Sequence, residues 1–325
     1  MRRLSISLFL VLILSVIAGC VGGTTPPPAG KLEGKLQIFH AGSLTIPFAQ
    51  ISKEFNKLYP DIEILAEGAG SQTTIRKVTE LHKECGVIGS ADYSIIPELM
   101  FPEYADWYIK FAVNQMCIAY TDKSEFKDKI NKDNWYEILQ RSGVRYGRAD
   151  PNQDPCGYRT LMVWQLAEAY YRVPGLYGKL CGADGDLMRP KSVELIALLE
   201  SGDLDYAFEY SSVAVQHNLN YVVLPPQINL SSEEFKDFYA TAQIDVAGKK
   251  PGEKITKKGA PIVYGVTIPN NFPRQEIAIA WVTFLLSDRG MAIMEDNGQP
   301  PIVPAVTNDK NKLPDALKKY IIEAR

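Results

Sequence analysis

The segment most informative about the architecture is Leu36-Gln37-Ile38-Phe39-His40-Ala41-Gly42-Ser43, a short apolar run that ends in a glycine and a serine. The run predicts a β-strand, and apolar residues at helical spacing in residues 48–58 predict a helix directly after it. The same order of strand, glycine- or serine-rich turn and helix recurs in residues 62–81 and begins again in residues 86–93. Such alternation predicts an α/β fold in which a parallel sheet is covered by helices. The turns at the carboxyl ends of parallel strands are where open α/β sheets bind ligands.

The rest of the chain continues the alternation. Residues 108–120 predict a long strand that suits either the centre of a sheet or a crossing between two lobes. A second α/β series follows, with strands predicted at residues 144–147, 204–210 and 262–268 and helices at residues 135–140, 157–171, 193–199 and 275–286. The length after residue 34 is sufficient for two domains of ordinary size.

The N-terminus carries the pattern of an export signal. Met1-Arg2-Arg3 precedes an apolar run over residues 4–18, and small residues lead into Cys20. That run is shorter than the roughly 20 apolar residues of a bilayer-spanning helix. We predict a signal peptide with a lipobox over residues 1–20, a lipid on Cys20 and a Pro/Gly-rich tether over residues 21–34. The alternative is an ordinary secreted protein whose mature chain begins near a cysteine.

Charge and cysteine content exclude several classes of protein. The net charge of -3 argues against a nucleic-acid partner, which requires a basic face. The cysteines beyond the N-terminal segment form no CxxC pair, so a structural zinc site is not expected. These cysteines are Cys85, Cys117, Cys156 and Cys181. Cys156 and Cys181 flank one predicted helix, and a disulfide between them is an open possibility.

Two turns have the composition of an oxyanion site. Gly42-Ser43 and Gly70-Ser71 each place a hydroxyl and backbone N–H groups where a predicted strand meets a helix. The start of a helix carries unpaired donors and partial positive charge, both of which favour an anion. The alternative is that both serines are plain helix caps. Two such turns on successive strand–helix units favour ligand binding.

Two carboxylates fit an oxyanion site less easily. Asp154 precedes a predicted helix, where its simplest role is to cap that helix. Glu209 lies in a mostly apolar predicted strand, where burying a carboxylate is costly unless something compensates for it. Alone, such a pair is expected to repel an anion.

Several segments, in order along the chain, resemble the archaeal molybdate/tungstate-binding proteins, which are solute-binding proteins of ABC importers. They are His40-Ala41-Gly42-Ser43-Leu44, Glu67-Gly68-Ala69-Gly70-Ser71, Ser90-Ala91-Asp92-Tyr93, residues 150–159 and residues 208–214. Residues 284–295 with Gly298-Gln299-Pro300-Pro301 resemble the C-terminal helix pair shared more widely by the oxyanion binders of ABC importers. The resemblance covers the whole mature chain. It implies a two-lobe, periplasmic-binding-protein-like (type II) α/β fold, with mixed sheets flanked by helices and the ligand in the interlobe cleft. We predict lobe 1 over residues 35–117 and 240–325, and lobe 2 over residues 118–239.

The resemblance also implies a role for the two carboxylates. In these proteins two acidic side chains reach the metal of the oxyanion and raise its coordination from four to six, which sulfur and phosphorus do not permit. We assign Asp154 and Glu209 to this role. The predicted ligand-binding residues are Gly42, Ser43, Ser71, Asp154, Pro155, Cys156, Glu209 and Gln227. The expected ligand is molybdate or tungstate, with no other cofactor.

The predicted protein is a monomer, anchored to the outer face of the cell membrane, that delivers its ligand to an ABC permease. The alternative within the same fold is a sulfate- or phosphate-type binder. A secreted hydrolase, with a serine as nucleophile, is disfavoured because no Gly-x-Ser-x-Gly elbow occurs at either serine.

Other residues receive structural interpretations. The four tryptophans are predicted to be core, and the two lysine pairs Lys249-Lys250 and Lys257-Lys258 to lie in a solvated loop. Asp92 and Tyr93 are predicted either to line the rim of the cleft or to cap a turn.

Overall fold

The computed structural model describes residues 32–183 and 185–323. The predicted signal peptide, the lipid site at Cys20 and the tether up to residue 31 lie outside the described residues. The strands are β1 (Gly34–Ala41), β2 (Ile62–Ala69), β3 (Val87–Ser90), β4 (Ile109–Asn114), β5 (Met116–Tyr120), β6 (Tyr146–Ala149), β7 (Asp186–Arg189), β8 (Tyr206–Tyr210), β9 (Asn220–Val223), β10 (Gln243–Ala247), β11 (Lys254–Lys258), β12 (Ile262–Thr267), β13 (Pro301–Thr307) and β14 (Ile321–Glu323).

The helices alternate with these strands, as the sequence predicts. They are α1 (Thr45–Leu58), α2 (Ser71–Thr79), α3 (Ile95–Met100), α4 (Trp135–Ile138), α5 (Pro155–Tyr171), α6 (Leu176–Cys181), α7 (Glu194–Ser201), α8 (Ser211–Gln216), α9 (Lys236–Tyr239), α10 (Gln275–Leu285), α11 (Asp288–Asp296) and α12 (Asp315–Lys318). The predicted mixed α/β class is confirmed.

The strands form two mixed sheets and a separate hairpin. The first sheet has the order β14-β13-β4-β12-β3-β1-β2, and the second has the order β7-β6-β8-β5-β9. In the first sheet β1 pairs in parallel with β2 and β3, as expected for successive strand–helix units, whereas β12 runs antiparallel to β3 and β4. Strands β10 and β11 form the hairpin.

The chain passes from the first sheet to the second between β4 and β5. Strand β4 ends at Asn114, and β5 begins at Met116 in the other sheet. The long predicted strand over residues 108–120 is therefore two strands joined at a crossing. Lobe boundaries at residues 117 and 240 stay a prediction.

The core contains the residue types that the sequence indicates. Trp135, Trp164 and Trp281 are fully buried, and Trp107 is nearly so, which confirms the prediction for the tryptophans. Cys156 and Cys181, by contrast, are free thiols, so the proposed disulfide is wrong. The Cys156 sulfur lies instead 3.5 Å from the carbonyl oxygen of Phe208, because the start of α5 packs against β8.

Within the described residues, no single helix has the length and apolar character to cross a membrane. One bent pair, α10 and α11 at 61°, meets the requirement by length and composition alone.

Candidate functional site

The two predicted site serines lie side by side at one edge of the first sheet. Strands β1 and β2 are parallel, with Ala41 opposite Ala69, so the chain leaves both strands at the same edge. Ser43 follows in a short 3-10 turn before α1, and Ser71 is the first residue of α2. Both side chains are buried. The predicted placement of these serines at strand-to-helix turns is confirmed, and the first turn of a helix brings unpaired N–H groups to the same place.

Each serine hydroxyl has a partner on the first-sheet side of the site, which comprises the strands of the first sheet and the turns that follow them. The Ser43 Oγ lies 2.8 Å from the hydroxyl of Tyr264. The Ser71 Oγ accepts a hydrogen bond of 3.0 Å from the Ala91 N–H. Because a hydroxyl is one donor and two acceptor positions, neither partner exhausts its hydrogen-bonding capacity.

Asp154 caps helix α5 on the second-sheet side. Its Oδ1 accepts from the Cys156 N–H at 3.0 Å, and its Oδ2 accepts from the Ser192 N–H at 3.1 Å. Pro155 fills the first helical position, where its missing N–H costs nothing. Burial raises the pKa of the Asp154 carboxyl. The capping role is therefore present, and the N–H of Cys156, one of the predicted ligand-binding residues, donates here to Asp154.

Glu209 is the most unusual group in the site. Its side chain in β8 is fully buried, and its Oε2 accepts from the Tyr210 N–H at 3.1 Å. The other oxygen, Oε1, has no hydrogen-bond partner among the described residues. Burial and the neighbouring Asp154 raise the pKa of Glu209 to about 8. Burying a carboxyl oxygen without a partner is costly, so a positive or hydrogen-bonding group beside this oxygen would be stabilising.

The start of α2 packs directly against the loop that ends in Asp154. The Gln72 side-chain amide donates to the Pro151 carbonyl at 3.1 Å, and the Thr73 N–H donates to the Gln153 carbonyl at 3.5 Å. A Cβ atom on Gly42 would lie 3.1 Å from the Val193 side chain, beside Ser192. The predicted residues Gly42 and Ser71 thus lie beside the segments that carry Asp154 and its partners.

A buried charged cluster adjoins this contact. The Asp92 carboxylate accepts from the Tyr158 hydroxyl and lies 3.7 Å from the Arg159 guanidinium and 3.6 Å from the Lys257 ammonium. Burial alone would raise the pKa of Asp92, but Lys257 and Arg159 outweigh it and hold that pKa well below its usual range. Asp92 also accepts from the Ser94 N–H at 2.9 Å, so it both caps a turn and joins the two sides.

The prediction of a solvated Lys257 is wrong. Its side chain is buried and also pairs with Glu98 at 2.7 Å, because the β10–β11 hairpin folds over the start of α3. Alternate residues of the hairpin face opposite ways, which is why Lys258 is exposed.

Gln227 lies half-buried in the turn after β9, and its role as a ligand contact stays a prediction. Sequence reasoning missed Tyr264, Asn114 and Ser192, which surround the predicted groups. Tyr264 lies in an apolar strand, where an aromatic residue gives no signal of function; only the pairing of β12 between β3 and β4 brings it to Ser43.

Comparison with known proteins gives consistent results. Residues 36–299 match the family described as bacterial extracellular solute-binding protein. A solute-binding protein of Petrotoga mobilis is 54% identical over 294 residues, which cover 90% of this chain and 92% of that protein. The molybdate/tungstate-binding protein WtpA of Pyrococcus abyssi is 42% identical over an alignment of 347 positions that covers 98% of each chain. WtpA of Thermococcus kodakarensis is 37% identical, covering 99% of this chain and 97% of that protein.

Solved structures share the fold at low sequence identity. The periplasmic molybdate-binding protein of Azotobacter vinelandii superposes with a TM-score of 0.59 at 16% identity, covering 81% of this chain and 98% of that one. The sulfate-binding protein SubI of Mycobacterium tuberculosis also gives 0.59, at 10% identity, covering 83% of this chain and 88% of that one. The predicted periplasmic-binding-protein-like fold is confirmed.

Proposed function

Because this chain belongs to the family of bacterial extracellular solute-binding proteins, we propose that it captures molybdate or tungstate and delivers the oxyanion to the permease of an ABC importer. The family places the chain outside the cytoplasm and makes it a binding protein rather than an enzyme, as the sequence predicts. The names of the Pyrococcus and Thermococcus relatives support the choice of ligand.

The observation that carries the proposal is the unpartnered Oε1 of the buried Glu209 beside Asp154. Mo(VI) and W(VI) are hard, highly charged centres that accept additional oxygen ligands. Glu209 releases its proton to solvent on binding, and one oxygen from each of the two carboxylates then raises the coordination of the metal from four to six. The bound metal then supplies the positive partner that Glu209 lacks.

The same pair disfavours the alternative ligands. Sulfur in sulfate and phosphorus in phosphate do not expand their coordination, so those anions meet two carboxylates without gaining a bond to them. The site selects by repulsion as well as by attraction. A sulfate- or phosphate-type binder remains the second candidate, because the fold is shared with a sulfate-binding protein.

Neutral donors hold the oxygens of the anion. The Ser43 and Ser71 hydroxyls and the backbone N–H groups near Gly42 contribute from lobe 1. Cys156, Pro155 and Gln227 line the ligand from lobe 2. Bridging contacts of this kind exist only when the lobes are closed, so ligand binding stabilises the closed state.

We further propose that a lipid on Cys20 anchors the mature, monomeric protein to the outer face of the membrane. The signal peptide over residues 1–20 directs export, and the tether over residues 21–34 lets the body reach the permease. Mass spectrometry of the N-terminal peptide from membranes tests this part separately.

Calorimetric titration of the purified protein with tungstate, molybdate, sulfate and phosphate tests the ligand. We expect tight binding of tungstate and molybdate and no competition from sulfate at ordinary concentrations. Tight binding of sulfate or phosphate instead would be consistent with a role in an ABC importer but would contradict coordination of a metal by Asp154 and Glu209.

A further inference from the structure

We propose that Tyr264 and Asn114 form a hydrogen-bond relay behind Ser43 that fixes the Ser43 hydroxyl as a donor toward the bound oxyanion. The inference deepens the proposed function and rests on it. Tyr264 and Asn114 act through Ser43, so they are positioning residues and not ligand contacts.

The relay begins at the crossing between the two sheets, where Asn114 is buried. Its Oδ1 accepts from the Gln115 N–H at 2.9 Å, and the Ser211 hydroxyl lies 3.3 Å from the same oxygen. A backbone N–H can only donate, so this contact fixes which end of the amide is the oxygen. The NH2 group therefore faces the other way, where it donates to the Ser212 hydroxyl at 2.7 Å and to the Tyr264 hydroxyl at 2.9 Å.

The donation from Asn114 determines the direction of the next hydrogen bond. The Tyr264 hydroxyl has one hydrogen, and its oxygen already accepts from the Asn114 amide. Burial raises the pKa of Tyr264, which keeps the phenol protonated. Its hydrogen is then available to the Ser43 Oγ at 2.8 Å. Because Ser43 accepts from Tyr264, the hydrogen of its own hydroxyl remains for the ligand.

The backbone of Ser43 is held in place independently of its hydroxyl. The Gln299 side-chain amide donates to the Ser43 carbonyl at 3.0 Å, and the Gln216 amide donates to the same oxygen at 3.4 Å. The Oε1 of Gln299 makes no hydrogen bond within the described residues, including none with the Tyr264 hydroxyl. Because the backbone of Ser43 is fixed, the relay acts by restricting the rotation of the Ser43 hydroxyl.

Ser71 is set in the same way by a different group. Its Oγ accepts from the Ala91 N–H at 3.0 Å, and a backbone amide is also a donor that cannot reverse. The hydroxyl oxygen of each site serine thus accepts a hydrogen bond from the protein, which leaves the hydroxyl hydrogen to donate to the ligand. The first-sheet side presents hydroxyl donors to the ligand, which suits a fully deprotonated oxyanion.

A double-mutant cycle between Tyr264→Phe and Ser43→Ala tests the relay. Tyr264→Phe keeps the ring and removes the hydroxyl. We expect it to weaken tungstate binding about tenfold in the wild-type background, since a hydrogen bond to a charged group is lost or misdirected. In the Ser43→Ala background the same change should have little effect, because the group through which it acts is gone. Tungstate affinity is measured by calorimetry, and thermal unfolding checks that each variant folds.

The outcomes separate the relay from the proposed function. Equal losses in both backgrounds, or no loss in either, would overturn the relay while wild-type binding of tungstate upholds the proposed function. A wild-type protein that binds neither tungstate nor molybdate would overturn both. If Tyr264→Phe does not fold, the same cycle is run with Asn114→Asp, which replaces the donor by an acceptor and reverses the relay; a loss of affinity that disappears with Ser43→Ala supports it.

Discussion

Gly70 approaches Gln153 so closely that a Cβ atom on the glycine would lie 2.0 Å from the Gln153 carbonyl oxygen. Gly70 directly precedes Ser71, and Gln153 directly precedes Asp154. This backbone contact therefore sets the separation between a hydroxyl donor on the first-sheet side and a carboxylate on the second-sheet side.

Gly70→Ala should weaken tungstate binding by at least about tenfold, because the new methyl group would meet backbone that cannot move aside without opening the cleft. Folding should change little, since Gly70 has φ -62°, a conformation that alanine adopts without strain. Gly178→Ala in α6 is the matched control, because a Cβ there meets nothing within 4 Å. Calorimetry and thermal unfolding provide both measurements. Wild-type affinity in Gly70→Ala would show that this contact does not limit closure.

Glu209→Gln should lower tungstate affinity by about a hundredfold or more, since it removes a charged, buried ligand of the metal. The stability of the empty protein should not fall above about pH 8, where wild-type Glu209 carries a buried charge and the amide carries none. Glu168→Gln is the control, because Glu168 is a half-buried carboxylate in α5 that lies about 20 Å along the helix axis from Asp154 and therefore away from the site. Equal affinity of Glu209→Gln and wild type would remove the carboxylate-ligand argument.

The stability of the empty protein should fall as pH rises through the range in which Glu209 loses its proton. The pKa of Glu209 is raised from 4.5 to about 8 in the folded state, so the folded protein holds a proton that the unfolded chain releases. The contribution of Glu209 to the free energy of unfolding is full below pH 4.5 and is lost by about pH 8. The total loss is on the order of a few kcal/mol.

Urea unfolding of wild type and Glu209→Gln between pH 5 and pH 9 measures this contribution. The difference in free energy of unfolding between the two proteins should change in favour of the variant as pH rises. Asp154, Glu98 and Asp186, whose pKa values are raised in the same direction, contribute to the slope that remains in the variant. Parallel pH profiles would contradict the prediction.

Asp92→Asn should destabilise the folded protein by about 3 kcal/mol, because it leaves Arg159 and Lys257 buried without their shared carboxylate. Asp315→Asn is the control, since its ion pair with Lys318 is exposed and should contribute nothing measurable. Urea unfolding compares the two variants. A loss in Asp92→Asn no larger than that in Asp315→Asn would show that the buried cluster does not stabilise the folded protein.

Local features of the fold and site were predictable from sequence, and long-range ones were not. The order of apolar run, Gly-Ser turn and helical spacing located Ser43 and Ser71 correctly, because each feature lies within one strand–helix unit. The cap formed by Asp154 follows from its position before Pro155. Tyr264, by contrast, reaches Ser43 across 221 positions of sequence. Hydrophobic periodicity predicts local elements only and does not predict a contact between residues so far apart in sequence.

The same distinction explains the errors. Lys257 appeared solvated because its local sequence is basic, whereas its burial depends on Asp92 and Glu98 far along the chain. Cys156 and Cys181 appeared close because they flank one helix, but each packs against a different neighbour. Cys156 lies against β8, and Cys181 lies at the end of α6.

The coordination of the bound metal tests the central claim most directly. X-ray absorption at the tungsten edge of the tungstate-loaded protein counts the oxygen atoms around the metal. Two carboxylate oxygens in addition to those of the oxyanion, giving six, are the predicted result. Glu209→Gln at saturating tungstate should give fewer than six. Four equal oxygen distances in the wild-type protein would contradict coordination by Asp154 and Glu209.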